Sequence, residues 1–110
     1  MKAAIAAILI TAATCAAADY IFCEDADTIT VAGTGSVGAP GPWLIECTGP
    51  APNFYVVTAV VTVIDEGTWV VTFTGENLDL LKKIGTSKYK VFNPITGFVA
   101  DSGSVSFEPC

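Results

Sequence analysis

The 110-residue sequence predicts a mainly β domain, a small antiparallel β-sandwich or partly closed barrel with one short helix. Three observations carry that prediction. β-Branched and aromatic residues recur with period two in several runs, Gly and Pro punctuate the chain between those runs, and a single segment has helical spacing.

The chain opens with Met1-Lys2 and an apolar run from Ala3 to Ala13, followed by the small residues Ala16-Ala17-Ala18. A signal peptidase reads that pattern, so residues 1–18 are expected to be a removable leader with Asp19 as the mature N-terminus. The apolar run is too short for a comfortable membrane span, and no membrane association is expected after cleavage. Cys15 goes with the leader. The remainder, 110 − 18 = 92 residues, is one domain (19–110) of a size that often needs a covalent staple.

Along the mature chain, Tyr20 to Cys23 and Thr28 to Ala32 flank the polar turn Glu24-Asp25-Ala26-Asp27 and predict an opening hairpin. Gly33 to Pro42 is a Gly/Pro loop, and Trp43 to Cys47 a short apolar strand. Thr48 to Asn53, with Pro50 and Pro52, breaks the chain again. Phe54 to Ile64 and Thr68 to Thr74 predict a second hairpin across Asp65-Glu66-Gly67, where Gly67 supplies the positive φ of a bulged three-residue loop. Its arms present Tyr55, Val57, Ala59, Val61 and Val63 on one side, and Trp69, Val71 and Phe73 on one side.

Asn77 to Ile84 is the helical segment. Asn77 is placed to cap it, Asp79 and then Lys82 and Lys83 complement its two ends, and Gly85 stops it. Leu78, Leu81 and Ile84 share one face, which predicts a helix lying on the sheet. Lys88 to Phe92, Gly97 to Ala100 and Ser104 to Glu108 then read as strands. Asn93-Pro94-Ile95-Thr96-Gly97 and Asp101-Ser102-Gly103 read as the turns between them.

Composition excludes several chemistries. After cleavage the basic side chains are Lys82, Lys83, Lys88 and Lys90 against eleven carboxylates, so 4 − 11 gives −7. Such a surface repels phosphate backbones, and no nucleic-acid partner is expected. Without His, no Ser-His-Asp or Cys-His arrangement and no His-based zinc site exists. A pair of carboxylates would suffice for glycoside hydrolysis, but nothing singles out a pair among Asp65, Glu66, Asp101 and Glu108. The chain is therefore expected to be no enzyme and to hold no cofactor and no metal.

Other signals have plain structural readings. Gly33-Thr34-Gly35-Ser36-Val37-Gly38 fits G-x-G-x-x-G, but Pro40 and Pro42 forbid the helix that dinucleotide binding requires, so it reads as a loop. Glu24, Asp25 and Asp27 read as an acidic turn rather than a calcium site. Trp43, Phe54, Tyr55 and Trp69 read as core aromatics, with Trp43, after Gly41-Pro42, as the candidate for an exposed loop edge.

Three cysteines remain, Cys23, Cys47 and Cys110, so one is unpaired within the chain. Cys23–Cys110 is the favoured pair because both sit at strand ends near the termini, with Cys23–Cys47 as the alternative. Cys47 is then either a buried free thiol or an intermolecular one.

The segment Ala16-Ala17-Ala18-Asp19-Tyr20-Ile21-Phe22-Cys23 resembles the mature start of small secreted effectors of plant-pathogenic fungi, which carry an aromatic-x-Cys motif there and a partner cysteine near the C-terminus. The stretch Tyr89-Lys90-Val91-Phe92-Asn93 through Gly97 to Phe107-Glu108-Pro109-Cys110 resembles the closing strands of guanyl-specific fungal ribonucleases, the fold of one effector group. The resemblance implies a Cys23–Cys110 pair, a non-catalytic effector role, and an α+β ribonuclease-like fold as the alternative architecture. In this chain Ile21 stands where the motif's aromatic belongs, the family's long helix is absent, and so are its His and Arg.

The functional expectation is a secreted, extracellular, monomeric protein that binds a host or extracellular protein. Lys88 to Phe92 is the expected exposed strand edge, with Lys88, Lys90 and Trp43 as the candidate interaction surface. An extracellular wall, matrix or fibre subunit and a carbohydrate-binding module using Trp43 are the alternatives.

Overall fold

The computed structural model describes residues 18–38, 41–50, 52 and 55–110. Residues 1–17 of the expected leader and Phe54 lie outside the described residues.

Among the described residues, eight strands and one helix follow in order: β1 Ala18–Cys23, β2 Thr28–Thr34, β3 Leu44–Thr48, β4 Val56–Val60, β5 Thr62–Asp65, β6 Thr68–Thr74, α1 Gly75–Ile84, β7 Ser87–Phe92 and β8 Val99–Glu108. They form two sheets. One has five strands in the order β1-β8-β7-β3-β4, and the other three in the order β2-β6-β5. All neighbours are antiparallel except β1 and β8, which run parallel. The expected small sandwich with one short helix is the architecture observed, in place of the α+β alternative.

Period two sets which side chains meet between the sheets. Ile29 and Val31 of β2, Trp69, Val71 and Phe73 of β6, and Ile45 and Cys47 of β3 point inward with Tyr89 and Val91 of β7 and Val105 of β8. Trp69 is fully buried at the centre, edge-on to Tyr89 at 5.8 Å between centroids. Its indole N–H donates to Asp101 Oδ2 at 2.8 Å, so its polar atom is satisfied inside the sandwich. A Cβ at Gly33 would stand 2.8 Å from Trp69 Cζ2, so the first glycine of the G-x-G-x-x-G run makes room for the indole. The rest of that loop is tied to the β5–β6 turn, with Gly35 N–H donating to Gly67 O (3.0 Å) and Gly67 N–H to Val37 O (2.9 Å).

Three expectations about the strands are corrected. β1 and β2 are not a hairpin but lie in different sheets. The Glu24–Asp27 turn carries the chain across the sandwich, and Tyr20 and Phe22 reach the core from beside β8. The run ending at Ile64 is two strands, with β4 in the large sheet and β5 in the small one. Buried Val61 is the switch, its N–H donating to Trp43 O at 3.0 Å. A strand bending round the flank of a sandwich keeps one face inward while it changes sheets, so periodicity alone does not show the break. Asp101-Ser102-Gly103 is not a turn, because β8 runs through it opposite Val91, Lys90 and Tyr89. The inward-facing Asp101 is accommodated there by the Trp69 N–H.

The helix starts at Gly75, two residues before Asn77, and its N-cap Thr74 makes no side-chain cap bond. Its apolar face is as expected, with Leu78 and Leu81 buried and Ile84 packed against the core. Gly85, at φ 85°, ends it and donates its N–H to Leu81 O. Lys82 Nζ donates to Ala26 O at 2.6 Å, fastening the helix to the β1–β2 turn.

Candidate functional site on the outer face of the five-stranded sheet

Cys23 and Cys110 are bonded, with Cα atoms 5.1 Å apart across a sequence separation of 87 residues. The bond joins the end of β1 to the residues just past β8, and Glu24 N–H donates to Glu108 O (3.0 Å) beside it. Cys23, Asp25 and Cys110 are the one cluster of potential metal ligands among the described residues, and its two sulfurs are committed to each other. Cys47 is unbonded and fully buried. Burial pushes its thiol up to about 12, against a smaller opposing effect of the Ser87 hydroxyl, so it is a packed, unreactive side chain. An intermolecular bond at Cys47 is closed off by that burial.

Two expected surface positions are corrected. Trp43 is 7% exposed; its Nε1–H donates to Gly38 O at 2.8 Å and its ring meets Phe98 edge-on at 6.4 Å. No face is left for stacking on a sugar. Strand β7 is not an edge but lies between β8 and β3, so Lys88 to Phe92 has no free backbone to offer. Lys88 and Lys90 remain exposed on the outer face of that strand, alternating with buried Tyr89 and Val91.

That outer face is ordered in rows by the strand register. Val60, Leu44, Phe92 and Val99 lie side by side across β4, β3, β7 and β8. Val60 is 73% and Val99 46% exposed, with Leu44 and Phe92 half-buried between them. The next row is Thr58, Glu46, Lys90 and Ser102. Lys90 Nζ lies 3.7 Å from Glu46 Oε1 and 5.0 Å from the Phe92 ring centroid, so a charged pair borders the apolar row. An exposed pair of this kind contributes under about 1 kcal/mol to folding. The row beyond holds Val56, Thr48, Lys88 and Ser104, with Ser104 Oγ–H donating to Asp19 Oδ1 at 2.7 Å.

The β7–β8 loop lies at the same end of the sheet and adds two exposed apolar side chains, Phe98 on the Trp43 side. Asn93 is buried, and its Oδ1 accepts from the N–H groups of Ile95 (2.8 Å) and Thr96 (3.2 Å). Gly97, at φ 82°, closes the turn through its N–H to Asn93 O (2.7 Å). The loop is thereby set in shape while presenting Ile95, 76% exposed, and Phe98, supported from beneath by Trp43. Sequence reading treated this segment as a turn and missed it as a site. The available signal was Ile95, a large apolar residue inside the Asn93–Gly97 turn that otherwise calls for polar ones, with Phe98 directly after it.

The titratable groups with shifted behaviour sit between the sheets and not on this face. Burial raises Asp101 above the usual carboxylate range, partly offset by the bonds it accepts from Trp69 and Ser102. Burial also raises Tyr20, whose hydroxyl donates to Ala32 O, and Tyr89 beside it. The outer face offers apolar area, one ion pair and lysine ammonium groups, which suit contact with another protein.

The division of strands, β2-β6-β5 against β8-β7-β3-β4 with β1 added beside β8, corresponds to the layout of a variable-type immunoglobulin sandwich. The cross-sheet disulfide typical of antibody domains has no counterpart, since β2 and β7 carry no cysteine. No protein-family model matches the chain, and no curated protein matches it. Among solved structures it is similar to NK cell receptor Nkp44, described as a triggering partner in natural cytotoxicity. The identity is 16%, over 84% of this chain and 99% of that one, with a TM-score of 0.48.

Proposed function

We propose that the chain is a secreted, non-catalytic recognition domain that binds a host or extracellular protein through the outer face of its five-stranded sheet. The observation that carries this reading is the row Val60-Leu44-Phe92-Val99, with exposed Ile95 and Phe98 in the loop just past its end. Apolar side chains left in water along a contiguous line, next to a charged rim, are the make-up of a protein contact. An effector-like role is part of the proposal. The Cys23–Cys110 bond supports it, since the resemblance at the two chain ends implies that pairing. Secretion is supported by the same disulfide, and no helix among the described residues is long and apolar enough to cross a membrane.

The test uses mature protein from Asp19 to Cys110 as bait for extracellular proteins, beside an Ile95→Ser/Phe98→Ser variant. Partners captured by the parent and lost by the variant, both folded by circular dichroism, are the expected result. Capture that is unaffected by the double substitution would remove this face from consideration. Glycan-array binding that Phe98→Ser abolishes would redirect the site to carbohydrate.

A further inference from the structure

The sandwich has four strand edges, and three of them carry a device against pairing with another chain. β5 ends in Asp65, and its pairing with β6 is bulged between Val63 and Asp65. β1 carries exposed Asp19 and is clasped by the disulfide at Cys23. On β2, Ala32 O is taken up by the Tyr20 hydroxyl from β1. β4 is different. Val56–Val60 reads Val-Val-Thr-Ala-Val, with no charge, proline or bulge, and its pairing with β3 is regular throughout.

The hydrogen-bond phase shows what β4 offers. Gly49 N–H donates to Tyr55 O and Val61 N–H to Trp43 O, both in the β3–β4 register. Tyr55, Val57, Ala59 and Val61 therefore direct their backbone groups toward β3, because paired bonds alternate along an antiparallel ladder. Val56, Thr58 and Val60 direct theirs to the free side, where no other described strand pairs with them.

We infer that β4 is a self-association edge, whose occupant is β4 of a second copy running antiparallel about a two-fold axis at Thr58. The segment is self-complementary in that arrangement. Val56 faces the partner's Val60, Thr58 faces the partner's Thr58, and each such pair exchanges both backbone bonds. Val56 is 50% exposed and Val60 73%, so their pairing covers apolar surface, while the central pair is one that antiparallel sheets favour. No charged residue lies between Tyr55 and Ile64, so two chains, each of net charge −6, bring no like charges of this segment together. The two five-stranded sheets join into one continuous sheet, with an outer face on each side of the axis. This replaces the monomer expected from the sequence. The sequence reading placed the free edge at Lys88 to Phe92, as the site for a partner protein.

Sedimentation velocity of the mature protein over a concentration series, with and without Thr58→Pro, tests the inference. Thr58 N–H points to the free side, so proline removes a donor of the new interface and none of the β3–β4 ladder. The expected result is a reversible parent dimer whose Kd rises more than about tenfold in Thr58→Pro, with the circular dichroism spectrum unchanged. Thr58→Lys gives the same reading by charge repulsion should proline disturb β4, and Ile95→Ser/Phe98→Ser leaves the dimer intact. A parent that stays monomeric across the series overturns the inference. So does a dimer that both Thr58 variants retain, or open-ended polymer, which a closed two-fold contact cannot make.

Discussion

The two faces of the five-stranded sheet are built from similar side chains put to different uses. Ile45, Val57, Val91 and Val105 on the inner face are all but fully buried against the three-stranded sheet. Leu44, Val60, Phe92 and Val99, on the same strands, point into water or lie half-covered. An edge-to-edge count of hydrophobic residues along each strand does not tell the faces apart. What separates them is whether a second layer covers the face, and α1 and the small sheet cover one face only. The inner residues stabilise the fold by burial, whereas the outer ones remain available for contact with a partner.

Substitutions on the two faces should therefore divide cleanly between loss of stability and loss of binding. The largest effect is expected from Trp69→Ala. It removes the most buried aromatic and leaves Asp101 without its indole donor, at a cost of about 4–5 kcal/mol. Urea unfolding measures it, and a loss below about 1 kcal/mol would mean that the two sheets are held together elsewhere.

Next in size is the clasp at the β1 edge. Replacing Cys23 and Cys110 by Ser frees both ends of a loop of 87 residues and is expected to lower stability by about 2–4 kcal/mol. Peptide mapping of the unreduced parent should first recover the Cys23–Cys110 linked pair. The outer row should behave differently. Val60→Thr with Phe98→Ser is expected to shift unfolding by under about 0.5 kcal/mol for each exposed site while removing partner binding. A large loss of stability in that variant would mean that the outer row is structural.

The smallest effect concerns pH. Asp101 is held above the usual carboxylate range by burial, so the folded state binds its proton more tightly than the unfolded chain does. That contribution to stability is present below the unfolded carboxylate range and is lost as pH rises through the raised folded value. Asp101→Asn keeps an acceptor for Trp69 and has no charge to desolvate. The urea midpoint of the parent should fall relative to that of Asp101→Asn as pH rises from acid toward neutral. A difference that does not vary with pH would place the carboxylate in effective contact with water.

Part of the candidate site was legible and part was not. Lys88 and Lys90 alternate with Tyr89 and Val91, so their outward direction follows from period two alone. Their position in the sheet does not, because strand order is a matter of pairing between distant segments. The same gap explains why β7 reads as an edge in sequence and stands at the centre of the sheet. Trp43 follows Gly41-Pro42, which suggests an exposed loop. Its burial depends on Phe98, more than fifty residues away in sequence, and on the Gly38 carbonyl.

By itself the sequence determined the local periods, and with them the β-rich sandwich, the helix with its Leu78-Leu81 face, and the Gly67 turn. It also determined the charge balance and the absence of imidazole, which constrain chemistry wherever the residues fall. Tertiary structure alone decided that β1 leaves β2 to lie parallel beside β8, that the chain changes sheets at Val61, and that β4 is the uncharged free edge. Periodicity is a property of neighbours along the chain and is written in their order. Strand partners and covered faces depend on which distant surfaces exclude water together, and that is settled only when the whole chain packs.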